Sequence, residues 1–277
     1  MTSTAEISAD KIAVIGAGNI GEALISGLLA AGIEPLRITA TNRNRERGAE
    51  LAERYGIVTT DDNNEAAADA DVCFLCVKPG QIVGVIEEIS ETVAKNEVST
   101  ALVSMAAGVT IAAMEGAASA AGTPVVRVMP NTPMLVGRGV HIAAYGRFVE
   151  DGQRGAIARM LASTGTVVEL DESLMDAATA VSGSGPAYFF LMTEALVDAG
   201  VALGLPRETA ARLAAATAAG AGEMLLGDTP PEQLRHAVCS PAGTTAVAVR
   251  ELEESGLRGS LYRATEGCAR RARELGQ

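Results

Sequence analysis

The run Gly16-Ala17-Gly18-Asn19-Ile20-Gly21 constrains this chain more than any other segment. It follows Ile12-Ala13-Val14-Ile15, an apolar stretch that reads as a strand. It opens a stretch, 22–31, whose apolar spacing reads as a helix, with Gly32 as its stop. The pattern G-x-G-x-x-G is weak alone, but between a strand and a helix it marks a turn built to hold a dinucleotide. There Gly16 permits the tight turn, Gly18 lets a pyrophosphate approach the backbone, and Gly21 lets helix and strand pack closely. The helix start offers N–H groups and a partial positive charge to the phosphates.

Short apolar runs recur after this turn, at 36–40, 57–59, 72–77, 101–104 and 125–128, with a helical pattern at 45–55. Two further runs, 139–143 and 166–169, are candidates for strands near an edge. Strands alternating with helices predict an α/β, Rossmann-type, doubly wound and mostly parallel sheet. Nearly continuous apolar runs suit parallel strands covered on both faces. After about Leu170 the strand signals stop, and 187–200, 207–226, 244–254 and 259–275 read as helices. Two domains are therefore expected, a cofactor-binding one over 1–170 and an all-helical C-terminal one over 171–277. The alanine-rich helix 207–226 offers a small-residue face, equally suited to a subunit interface and to a buried core.

The end of the second strand bears on cofactor choice. An NAD site usually places an acid there to hold the ribose 2′-OH. This chain reads Thr39-Ala40-Thr41-Asn42-Arg43-Asn44-Arg45, with no carboxylate before Glu46. Asn42 can donate a hydrogen bond, and Arg43 or Arg45 can present a planar fork of donors to a 2′-phosphate. NADPH is the expected cofactor, with NADH as an alternative. Lys78-Pro79, Ser104 to Gly108 and Met129-Pro130-Asn131-Thr132-Pro133 each follow a strand at its carboxyl end, the edge where such sheets bind ligands.

Composition narrows the partners. A net charge of −12 and a pI near 4.7 oppose binding to a nucleic-acid backbone. The polar start, residues 1–10, lacks a basic-then-apolar signal pattern. No run of about 20 apolar residues appears, so no membrane span and a cytoplasmic location are expected. Cys73 and Cys76 form a Cys-x-x-Cys pair inside an apolar run. Side chains three apart on a strand point to opposite faces, so the pair reads as buried packing and no metal site is expected.

Two segments of the helical half combine Gly with Ser or Thr just before a helix: Val181 to Tyr188, and Cys239-Ser240-Pro241-Ala242-Gly243-Thr244-Thr245. Such turns can present N–H groups and hydroxyls to a carboxylate. Ordinary helix capping by Ser or Thr explains them as well.

With these segments the chain resembles the pyrroline-5-carboxylate reductase family. The matches are the early Gly-Ala-Gly, Val77-Lys78-Pro79, Ser104 to Val109, Arg127 to Pro133, Ser182 to Tyr188, and Ser240 to Thr245. They run in the family's order over nearly the whole chain. The resemblance implies NAD(P)H-dependent imine reduction, turning the small cyclic imine 1-pyrroline-5-carboxylate into L-proline, the last step of proline biosynthesis. It implies a homodimer with interleaved helical domains, and a decamer of five dimers. It assigns the cofactor to Ile15, Gly16, Ala17, Gly18, Asn19, Ile20, Asn42, Asn63, Cys76, Val77, Lys78, Pro79, Met105, Ala106 and Ala107. It assigns the substrate to Ser240, Gly243, Thr244 and Thr245, with Glu172 as an acidic site residue. Thr245 would direct its hydroxyl at the imine nitrogen as the catalytic contact.

Three positions depart from the family pattern. Ala242 stands where glycine is frequent, Cys239 where Thr or Ser is usual, and Ala237 where some members carry a polar substrate contact. The last puts one substrate hydrogen bond in doubt.

A protonated imine is already electrophilic, so the protein's task is positioning and excluding water. That fits a chain whose only histidines are His141 and His236, both read as structural. A β-hydroxyacid dehydrogenase, the rival enzyme class, needs a lysine on the helix after the Rossmann domain. Here the lysines are Lys11, Lys78 and Lys95, none in the helical half. A non-catalytic NADP sensor would be expected to have a degraded substrate loop, and Ser240 to Thr245 is intact.

Overall fold

The computed structural model describes Ala9 and residues 11–276; most of the polar start lies outside the described residues. The first half alternates strand and helix: β1 (Ile12–Ile15), α1 (Asn19–Ala30), β2 (Ile38–Thr41), α2 (Arg45–Tyr55), β3 (Val58–Thr60), α3 (Asn63–Ala67), β4 (Val72–Leu75), α4 (Ile82–Lys95), β5 (Ala101–Ser104), α5 (Ile111–Ala117) and β6 (Val125–Met129). There follow β7 (Gly139–Tyr145), α6 (Asp151–Ala162), β8 (Gly165–Glu169) and a short α7 (Met175–Ala178). The last elements are α8 (Gly185–Ala202), α9 (Arg207–Leu225), α10 (Pro231–Ala237), α11 (Thr244–Glu254) and α12 (Leu257–Leu275).

The eight strands form one sheet in the order β3-β2-β1-β4-β5-β6-β7-β8. β1 to β6 are mutually parallel; β7 runs against β6, and β8 runs with β7. This is the doubly wound arrangement expected from the alternating runs, and its strand order reverses between β1 and β4. β1, β2, β4 and β5 are buried at every residue, as strands covered by helices on both faces must be. Two apolar clusters lie on the two faces. One holds Val14, Leu24, Leu28 and Phe74; the other holds Ile15, Leu75, Ile86 and Ile89.

Several boundaries differ from the sequence expectation. β2 starts at Ile38 because Pro35–Arg37 form a 3-10 turn. β4 ends at Leu75, and Cys76-Val77 turn to pack against Gly16. α10 and the π-helical turn Thr179–Gly183 carry too few apolar residues to show a helical period.

The chain divides into two compact units. The first runs through Gly183 and includes residues from Ala269 onward; the second is Ser184–Cys268. The sequence boundary at 170 precedes the turns 172–183, which belong to the first unit. There Asn131 Nδ2 donates to the Ser182 carbonyl at 3.0 Å, and Arg127, 7% exposed, pairs with Glu172 at 3.0 Å.

The second unit is a set of helices. α8 and α9 form a close pair, where Gly200 approaches Ala210. Gly185, Ala210 and Ala214 are its buried residues within these helices. Phe189, Phe190, Leu191 and Leu196 of α8 remain exposed. So many exposed large apolar side chains on one helix call for a further covering surface.

Candidate active site

The glycine loop sits at the switch point, over the carboxyl ends of β1 and β4. Gly16 has φ +84°, and a Cβ there would stand 2.5 Å from Val77 Cγ1. Gly21 brings α1 onto the sheet, its missing side chain replaced by Val14 and Cys76. A Cβ on Gly18, by contrast, would meet nothing within 4 Å, and Gly18 and Asn19 are exposed. Gly18 begins α1 with no capping side chain. The helix start therefore faces solvent with its first-turn N–H groups presented, as a pyrophosphate requires.

Around this loop the structure gathers the expected cofactor residues. Asn42 Nδ2 donates to the Ala17 carbonyl at 3.0 Å, and its Oδ1 accepts from Asn44 N–H at 2.9 Å. Asn63 begins α3 beside the end of β2. Cys76, Val77, Lys78 and Pro79 leave β4, and Met105, Ala106 and Ala107 leave β5, along the same edge. Arg45 and Arg43, equivalent in the sequence, separate here. Arg45 is held by Asp61 at 2.7 Å, and Arg43 is exposed with no ion pair among the described residues. The residues present thus fit an NADP-type dinucleotide, and Arg43 is a cation open to an added phosphate.

Cys73 and Cys76 pack in the two different apolar clusters, one on each face of the sheet. All four cysteines are free, and burial pushes the thiols of Cys73 and Cys76 up to about 12. Neither is a thiolate at neutral pH. Among the described residues no group of three or more His, Cys, Asp or Glu could hold a metal, and no helix is long and apolar enough to cross a membrane.

In the second unit, Ser240 to Gly243 turn into α11. The Gly243 N–H donates to the Ser240 carbonyl at 3.0 Å, and a Cβ on Gly243 would lie 2.3 Å from Ser240 Oγ. Gly243 itself caps α11, with no side-chain hydrogen bond. Helix capping by Ser or Thr therefore does not account for the hydroxyls of Ser240, Thr244 and Thr245. Ala242 holds φ +57°, a left-handed conformation that explains why glycine suits this position. Arg235, His236, Cys239, Ala246 and Val249 line a cavity of about 240 Å³ next to the loop. The other Gly/Ser segment differs: Ser182 Oγ donates to the Ala178 carbonyl at 3.3 Å, and Ser184 Oγ lies 3.2 Å from Cys268 Sγ.

Glu172, expected at a substrate site, has its Oε1 bonded to the Ile111 N–H at 2.8 Å and to Arg127 at 3.0 Å. Sequence reading saw its charge and missed Arg127, a buried cation on β6 that needs a carboxylate partner. Asn131, in the segment that follows β6 at its carboxyl end, is likewise tied into the first unit. Its amide accepts from Val140 N–H at 2.8 Å as well as donating to Ser182.

Residues 172–275 match the family model for pyrroline-5-carboxylate reductase dimerisation, and residues 11–108 match that for NADP oxidoreductase, coenzyme F420-dependent. The chain is 57% identical to the pyrroline-5-carboxylate reductase of Corynebacterium melassecola, over 96% of this chain and 98% of that one. Its fold is similar to a pyrroline-5-carboxylate reductase from Coxiella burnetii, with a TM-score of 0.92 and 37% identity over 97% and 99% of the two chains. It is also similar to pyrroline carboxylate reductase of Plasmodium falciparum, solved with NADP bound, with a TM-score of 0.83 and 31% identity over 96% and 98%.

Proposed function

The chain belongs to the pyrroline-5-carboxylate reductase family, and from that premise we propose how its own residues divide the work. It is an NADPH-dependent oxidoreductase that reduces the C=N bond of 1-pyrroline-5-carboxylate to give L-proline, and it acts as a homodimer through its helical half.

In the first unit, the turn Ile15 to Ile20 receives the pyrophosphate, and the open face over Gly18 is the observation that carries this assignment. Asn42 and Arg43 meet the 2′-phosphate. Asn63, Cys76 to Pro79 and Met105 to Ala107 line the rest of the cofactor's path along the sheet edge. When bound, NADPH supplies the hydride that the imine carbon accepts. In the second unit, Ser240, Gly243, Thr244 and Thr245 hold the substrate carboxylate and ring, using hydroxyls and the free N–H groups at the start of α11. Thr245 directs its hydroxyl at the ring nitrogen and sets the imine's orientation. Glu172 holds Arg127 and the start of α5 within the first unit. No strong acid is required, because a protonated imine is already electrophilic, and His141 is buried with its pKa lowered to about 4.

The larger assembly we propose is a decamer of five dimers. A cytoplasmic location is in keeping with four free cysteines, which suit a reducing compartment.

The test is steady-state turnover of NADPH with 1-pyrroline-5-carboxylate. Thr245→Ala removes the hydroxyl and keeps the backbone N–H. It should lose on the order of 2–4 kcal/mol of transition-state stabilisation, mostly in kcat, while Thr245→Ser keeps most activity. A Thr245→Ala enzyme with near wild-type kcat would reduce Thr245 to a helix-start residue.

A further inference from the structure

We propose that Thr41 is a positioning residue for the cofactor loop, acting through the backbone of Gly16 and Ala17. The inference rests on the assignment of the glycine loop to NADPH.

Thr41 is the last residue of β2 and is 4% exposed. Its Oγ1 accepts from Gly16 N–H at 3.0 Å, and its carbonyl accepts from Ala17 N–H at 2.8 Å. One residue thus receives two successive N–H groups of the loop. The hydroxyl then donates to Asn63 Oδ1 at 2.9 Å, and Asn63 Nδ2 donates to Glu88 Oε2 on α4 at 3.0 Å. The direction of this chain is fixed by its far end. The Glu88 carboxylate can only accept, so it turns the NH₂ of Asn63 toward itself and the carbonyl toward Thr41. A carbonyl also only accepts, so the Thr41 hydroxyl must donate there, and its lone pairs face Gly16. Hydrogen bonds aligned in one direction strengthen one another.

Glycine has little conformational preference of its own, so a loop with Gly16 and Gly18 needs an outside template. Thr41 supplies it from one side, and Asn42 answers the Ala17 carbonyl from the other. Packing does not ask for a hydroxyl here, because valine would fill the same β-branched volume in a buried strand. What the hydroxyl adds is a preset loop whose free N–H groups already point at the phosphate site, which lowers the cost of binding.

The experiment compares Thr41→Val, Thr41→Ser and Gly18→Val as full-length proteins, by NADPH fluorescence titration and steady-state kinetics. Thr41→Val should raise Kd and KM for NADPH about ten- to thirty-fold, with kcat at saturating NADPH within about two-fold. The KM for 1-pyrroline-5-carboxylate should not move. Thr41→Ser should recover NADPH binding to within about three-fold of wild type, because the hydroxyl is back. The proposal is overturned if Thr41→Val binds NADPH as wild type does, if kcat falls with KM unchanged, or if Ser rescues nothing. Gly18→Val fills the cradle directly. If it still binds NADPH normally, the loop assignment itself fails; if it abolishes binding and Thr41→Val does not, Thr41 alone falls. Should Thr41→Val fail to fold, Glu88→Ala tests the chain from its exposed end. A weakening of NADPH binding by about two- to four-fold is expected, and no change overturns the proposal.

Discussion

In the first unit, Ile12, Leu24, Phe74 and Ile86 are fully buried; in the second, Phe189, Phe190 and Leu191 are 61%, 65% and 67% exposed. Both sets are equally apolar. The difference lies in geometry. A sheet with helices on each face closes its own core, whereas α8 carries more large apolar side chains than the helices of one chain cover. The first unit therefore packs itself to the point of burying polar groups such as Arg127, Thr41 and His141. The second, which the dimerisation family model matches, keeps large apolar side chains exposed on the single chain. Residues that preset a cofactor loop belong to the first kind of environment, and an assembly surface to the second.

The largest expected effect tests the second half of this contrast. Phe190→Glu puts a carboxylate into a face that the dimer desolvates, a penalty of several kcal/mol. Light scattering should show monomer or aggregate, with turnover down at least about 100-fold. A fully active monomer would end the idea that the helical unit needs a partner.

His141 tests the first half. Its Nε2 lies 2.8 Å from Thr164 Oγ1, its Nδ1 is buried without a partner, and burial lowers its pKa to about 4. In the unfolded chain the ring titrates near 6.5, so between these values the unfolded state binds the extra proton. The contribution of neutral His141 is present above about pH 6.5 and is lost as pH falls through 4, on the order of 3 kcal/mol in all. Urea unfolding at fixed protein concentration should show His141→Gln losing less stability than wild type between pH 7 and about pH 4.5. Parallel losses would mean that the ring is not the group whose burial matters.

Arg43→Ala asks how far the first unit's rigid frame extends toward the cofactor. KM for NADPH should rise about ten-fold and KM for NADH should barely change, since only NADPH carries the 2′-phosphate. Equal effects on both cofactors would move the contact elsewhere.

The smallest effect returns to the helical unit. Ala242 sits at φ +57°, and Ala242→Gly relieves that strain while loosening the unfolded chain. A net gain of roughly 0.5 kcal/mol in thermal or urea unfolding is expected. A loss would show that the loop's strain is matched by contacts of the Ala242 methyl.

The sequence by itself determined the fold and marked the glycine turn proposed to hold the cofactor. Short apolar runs such as Ile12–Ile15 and Ala101–Ser104, alternating with helical patterns, read as strands covered on both faces, and the glycine turn between β1 and α1 is written in neighbouring residues. These are local patterns, set by backbone sterics and the period of burial. The Ser240 to Thr245 loop was legible for the same reason, as one short segment. Tertiary structure alone decided which polar groups face one another. Arg43 and Arg45 are alike as letters, and only the placement of Asp61 occupies one and frees the other. Glu172 is one acid among many in the sequence, and its partners Arg127 and Ile111 lie 45 and 61 residues away. Thr41 read as one more strand residue, because its partners Gly16 and Asn63 reach it from other elements. Hydrogen bonds act over about 3 Å in space whatever the distance along the chain, so their pairing is fixed only once the sheet has formed.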